Sequence, residues 1–196
     1  MKKRHLLLPS LLIVSALFLV ACGGGGSSDE SEIEDAIETS ATTGDPSNCT
    51  EFLTMKFVEQ SSGESGKAAL KACEKEEEEP ESKAESVEVT EVEVDGSNAT
   101  ANAAITGGSL EGQTVSIALV EEDGWKLDEL TGFAKFDQGA IAKLFETQLG
   151  KSGELSSEQT RCIVEGIEGA PAEELEGMIL NSETTPIEEL AEGCVS

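Results

Sequence analysis

The chain reads as an α+β protein in which N-terminal helices pack in a bent antiparallel sheet, with a small all-helical C-terminal unit behind them. Three observations carry this reading. Apolar residues recur at three-and-four spacing up to Glu79, alternate at strand period between Ser86 and Leu130 with Asp-Gly pairs between the runs, and return to helical spacing after Phe133. Successive hairpins make the sheet a meander, and helices followed by such a sheet give a plan in which the sheet wraps the helices.

From Glu30 to Ala41, Ile33, Ala36 and Ile37 mark one helical face, with acids in the first turn where the helix dipole favours them. Asp45-Pro46-Ser47-Asn48 is a turn and capping cluster before a short apolar segment holding Cys49, Phe52, Leu53, Met55, Phe57 and Val58. Ser61 to Gly66 interrupts it, and Lys67 to Glu79 resumes helical character, with Ala69, Leu70 and Cys73 on the apolar side and Pro80 as the stop. In the first strand Val87 and Val89 share one parity and Val92 and Val94 the other, which predicts a bulge at Thr90-Glu91. Asp95-Gly96 turns the chain into a second strand whose inward residues are Ala99, Ala101, Ala103 and Ile105, closed by Gly107-Gly108. Val115, Ile117 and Leu119 face inward on a third strand, Asp123-Gly124 turns again, and Trp125, Leu127 and Leu130 form a fourth. Phe133, Phe136, Ile141, Leu144, Phe145 and Leu149 predict a connecting helix broken at Gly150 to Gly153. Ser156 to Gln159 has the form of a capping box before Cys162, Ile163, Val164 and Ile167. Ala170-Pro171 restarts the chain into Leu175, Met178 and Ile179, and Pro186 opens a last helix through Ala191.

Composition excludes several function classes. The 196 residues hold 13 Lys plus Arg against 40 Asp plus Glu, a net charge of −27 that repels phosphate backbones, so no nucleic-acid partner is expected. The first 22 residues carry a basic start (Lys2, Lys3, Arg4), an apolar run from Leu6 to Val20, and then Leu19-Val20-Ala21-Cys22. The run is shorter than the ~20 apolar residues a membrane-crossing helix needs, and it ends in Gly23 to Gly26. The Leu-Val-Ala-Cys tetrapeptide resembles the lipobox of bacterial lipoproteins. That resemblance implies a signal peptide over residues 1–21 and acylation of the Cys22 thiol, with the mature chain tethered to the membrane at its extracytoplasmic face. Removing residues 1–21 leaves 10 basic against 40 acidic residues, a net charge of −30, and a mature chain with neither His nor Tyr. Serine and cysteine triads then lack their usual base, and His-containing zinc sites their ligand. No catalytic residue, metal ligand or cofactor site is assigned. Residues 22–29, Gly/Ser-rich, read as a flexible tether of at most about 20 Å across Gly23 to Ser28.

The order of elements over Glu30 to Gly132, and above all Gly112 to Val120 followed by Glu121-Glu122-Asp123-Gly124-Trp125-Lys126-Leu127, resembles the nuclear transport factor two-like, or cystatin-like, cone fold. The resemblance implies a cone-like α+β domain over residues 30–132, with residues 133–196 as the separate helical unit. Enzymes of that superfamily, such as ketosteroid isomerases and polyketide cyclases, carry Asp, His or Tyr in the cone, and this mature chain offers only the carboxylates.

Cys22 apart, four cysteines remain, an even number suited to an oxidising compartment. Of three pairings, Cys49 with Cys73 and Cys162 with Cys194 keep each bond within one unit. The run Glu74 to Glu81 lacks the fixed offsets of a calcium loop and reads as solvated surface. The Asn48 and Asn98 glycosylation sequons read as chance matches, and Trp125 as a core residue. The leading expectation is a non-catalytic binding or interaction module for a small apolar ligand or an envelope protein. The alternatives are a carboxylate-only enzyme, recognisable by two close carboxylates with raised pKa in a pocket, and a structural acidic envelope protein.

Overall fold

Helices α1 (Gly26–Thr42), α2 (Asn48–Glu51), α3 (Met55–Ser62) and α4 (Lys67–Glu77) precede strands β1 (Ser86–Asp95), β2 (Asn98–Thr106), β3 (Thr114–Glu121) and β4 (Trp125–Lys135). Helices α5 (Gln138–Ser152), α6 (Ser157–Gly169) and α7 (Ala172–Leu180) follow. The structure, a computed structural model, describes residues 26–79, 82–152, 155–181 and 191–194. It is a mixed α and β architecture with an open, four-stranded antiparallel sheet in the order β1-β2-β3-β4. Among the described residues no helix is long and apolar enough to cross a membrane.

Ile33, Ala36 and Ile37 of α1 are buried in the main core, as their spacing requires. The helix starts at Gly26 rather than Glu30, so the last four residues of the expected 22–29 tether are helical, and Asp29 falls in the first turn where the dipole favours an acid. The apolar segment 49–58 is two helices, not one. Between them Phe52–Thr54 makes a parallel bridge to β4: the Leu127 N–H donates to the Phe52 carbonyl (2.8 Å), and the Thr54 N–H to the Leu127 carbonyl (2.9 Å). Thr54 then caps α3, its hydroxyl accepting from the Phe57 N–H at 3.2 Å, and Gly63 ends that helix with φ 67°.

The predicted β1 bulge is present: pairing with β2 slips between Thr90 and Glu93, and Glu91 takes φ 54°. Asn102 on β2 donates to the Glu91 carboxylate at 2.6 Å and holds it there. In β4, eleven residues oppose eight of β3, with three register shifts. Each extra residue bends the strand and raises its twist. The strand therefore runs to Lys135, and Phe133, expected in the connecting helix, packs on the sheet core instead. Asp128, skipped in the pairing, accepts from Thr54 Oγ1 at 2.9 Å and from Lys56 Nζ at 3.0 Å. Gln60 pairs its side-chain amide with the Leu130 backbone in both directions at 2.8 Å. β4 bulges and α3 are thus sewn together along one edge of the sheet.

A second apolar cluster, with Ile141, Ile163, Ile167, Leu175 and Met178 buried, holds α5, α6 and α7 together. The Ser156–Gln159 capping box is complete in both directions. Helix α5 continues through Gly150 to Ser152, past the expected break. Of the predicted last helix, Pro186 to Leu190 lie outside the described residues, while 191–194 are helical. One glutamine joins this part to the sheet and a second joins α5 to α6. Gln113, 1 % exposed, accepts from the Asp137 N–H at 2.8 Å and donates to the Asp137 carbonyl at 3.0 Å. Gln138 donates to the carbonyls of Ile167, Glu168 and Ala170, closing the end of α6.

Candidate functional site

The cysteines stand in two bonded pairs. Cys49 and Cys73 tie α2 to α4 with Cα atoms 6.1 Å apart, and Cys162 and Cys194 tie α6 to the helical residues 191–194 at 5.8 Å. Cys22 lies outside the described residues, as does the expected signal peptide over residues 1–21. Cys49, Cys73 and Glu77 offer three candidate metal-ligand atoms within 4.8 Å of one another, but the two sulfurs are bonded to each other and neither is a thiolate. Asn48 of the first sequon is buried with its amide engaged inside the fold, so that site is closed to glycosylation. Trp125 is a core residue, and its indole N–H has no hydrogen-bond partner among the described residues.

Two concavities matter. An open acidic cleft of about 540 Å³ lies between α1, α2 and the β3–β4 turn, edged by Glu32, Asp35, Glu51 and Asp123. The second, about 300 Å³, lies between the helices and the inner face of the sheet, with Leu53, Phe57, Ile117 and Leu127 in its wall and Ile179 of α7 contributing from the C-terminal helices. Its volume is at the small end of the roughly 300–1,000 Å³ typical of ligand pockets, and such pockets are mostly apolar with a few placed polar groups. It is the candidate site.

Its polar groups come from the end of α4 and the residues just before β1. Glu77 falls on the stripe Ala69–Cys73–Glu77, four residues apart each time, and so is carried inward, 7 % exposed. Lys83 Nζ reaches its Oε1 at 2.7 Å, and Asn48 Nδ2 donates to its Oε2 at 3.1 Å. A carboxylate at that depth requires such partners. Glu76, the next wall residue, has no side-chain hydrogen bond or ion pair among the described residues. Although much of the residue is open to solvent, lost hydration of the carboxyl raises its pKa; Glu77 and Glu79 add to the shift and Lys83 opposes it. A carboxyl raised above its unfolded value binds its proton more readily in the native state. Its penalty is therefore absent below the ordinary Glu range and sets in as pH rises from there through the elevated pKa.

This corrects the reading of Glu74 to Glu81 as solvated surface at Glu77 alone, which is buried. Glu74, Glu76, Glu78 and Glu79 are exposed, Glu76 with one side against the pocket, and Glu81 lies outside the described residues. The missed signal was the four-residue step from Cys73 to Glu77 on an otherwise apolar face. Lys83 carried no such mark, because only the fold brings it back over α4.

The chain matches no family model, no curated protein and no solved structure.

Proposed function

We propose that this is a lipid-anchored extracytoplasmic lipoprotein whose cone-like domain, read over residues 30–132 and carried to Lys135 by β4, binds a small apolar ligand, with the C-terminal helices α5 to α7 at the edge of the same pocket. The apolar cavity of about 300 Å³ between helices and sheet carries this reading. The order of elements, which resembles that of the cone fold, and the lipobox-like Leu19–Cys22 support it. The carboxylate-only enzyme, whose mark would be two close carboxyls with raised pKa, is less favoured: of the two acids in the wall Glu77 is committed to Lys83 and Asn48, and only Glu76 has its pKa raised.

The test is binding of an uncharged fluorescent naphthylamine to the whole chain. Saturable binding with a blue shift is expected, and it should be lost when Ala103→Phe or Ile105→Trp fills the cavity while the circular dichroism stays native. Binding that survives both plugs would place the probe elsewhere and remove the pocket reading. Anchoring is tested separately. In cells fed an alkyne fatty acid, wild-type chain should be labelled and membrane-bound, and Cys22→Ser should be neither; a wild type without label would overturn the lipoprotein assignment.

A further inference from the structure

The polar end of the pocket carries three charges that do not cancel. Glu77 and Lys83 neutralise one another at 2.7 Å, with side chains 7 % and 13 % exposed, and Asn48 occupies the second oxygen of Glu77. Glu76 lines the same pocket with no ion pair or side-chain hydrogen bond among the described residues. The wall is therefore one negative charge out of balance beside an apolar interior. Glu77 is withdrawn from water and compensated, whereas Glu76 keeps much of its surface in solvent and lines the wall without a partner among the described residues, open to a cation that enters the pocket.

We infer that the pocket takes an apolar molecule bearing a single protonated amine, whose ammonium group supplies the counter-charge that Glu76 lacks while its hydrocarbon body fills the space between helices and sheet. This rests on the pocket reading above and adds the charge of the ligand to it. The elevated pKa of Glu76 agrees with a carboxylate waiting for a cation. The chain as a whole favours the same sign, since 40 acids against 13 bases attract cations over the distance of a Debye length and repel anions. A fatty carboxylate meets both the local excess and the overall field with the wrong charge. A neutral alcohol fills the apolar volume but leaves Glu76 without a partner.

Decylamine, decanol and decanoate share one chain and differ in the charge of the head group. Titrated calorimetrically into the whole chain at neutral pH and below their aggregation concentrations, decylamine should bind at least about ten-fold more tightly than decanol, and decanoate weakest of the three. Glu76→Gln, at an exposed helix end where folding is unaffected, should erase the advantage of decylamine and leave decanol unchanged. Glu79→Gln, which removes a neighbouring surface acid outside the pocket wall, should leave it in place. Equal binding of decylamine and decanol, or a decylamine advantage that survives Glu76→Gln, would overturn the inference while leaving an apolar pocket intact. Failure of all three compounds to bind would remove the pocket reading itself.

Discussion

Replacing Cys49 and Cys73 together with alanine is expected to lower the unfolding free energy by about 3.5 kcal/mol, the chain-entropy value for a circuit of 24 residues. The effect has a local component as well. Asn48 precedes one cysteine and Glu77 lies one turn beyond the other, so the bond holds the amide at 3.1 Å from the carboxylate it partners. Urea unfolding of oxidised wild type and the double variant, each at neutral pH, measures the loss as a fall in midpoint together with a steeper slope, because the uncrosslinked chain exposes more surface when unfolded. A midpoint change equivalent to less than about 1 kcal/mol would show that the bond merely decorates contacts already sufficient without it. Pocket occupancy by the naphthylamine probe should weaken in parallel, since α4 carries both Glu76 and Glu77.

Gln113→Leu is expected to cost about 2–4 kcal/mol, from two hydrogen bonds lost and the Asp137 amide and carbonyl left short of partners at a nearly closed site. Leucine keeps most of the volume, so the loss reports the amide chemistry rather than a cavity. The damage should also be uneven. Hydrogen exchange should show the Asp137 amide losing protection first, followed by α5 to α7, while β2 and β3 keep theirs. Uniform loss across both parts of the chain would mean that the glutamine supports the sheet itself and does not join the helices to it.

Much of the fold was open to reading because its signals are local. The β1 bulge is written in the change of parity between Val89 and Val92, and the turns at Gly96 and Gly124 use the positive φ that Asp-Gly pairs announce. Leu127 and Leu130 stand three apart, and that odd spacing is the trace of the skipped Asp128. The later shifts near Thr131 and Ala134 leave no such trace, because Gly132 and Ala134 carry too little side chain to mark a face; the strand therefore runs past Leu130 to Lys135 and takes in Phe133, which its spacing alone assigns to the helix. Gln60 and Gln113 were invisible for a different reason. Each pairs with backbone about 70 and 24 residues away, and an amide side chain states nothing in advance about which peptide group it will meet. In the candidate site, the apolar wall followed from alternation in β2 and β3, whereas the ion pair of Glu77 with Lys83 arises only when the residues before β1 fold back over α4.

The stitching of α3 and the Phe52–Thr54 bridge along β4 closes one side of an open sheet and leaves β1, which among the described residues pairs with β2 alone, as the other. An unpaired strand edge is a template on which a second chain can grow. Along β1 the exposed residues include Glu88, Glu91, Glu93 and Asp95, and the kink at Glu91 breaks the straight run of backbone groups that a growing fibril needs. Two such strands brought together side by side would set rows of carboxylates against each other. Molecules crowded on a surface at high density could then collide edge to edge repeatedly and part again, and colloidal stability follows from the least protected strand of the sheet being also its most acidic.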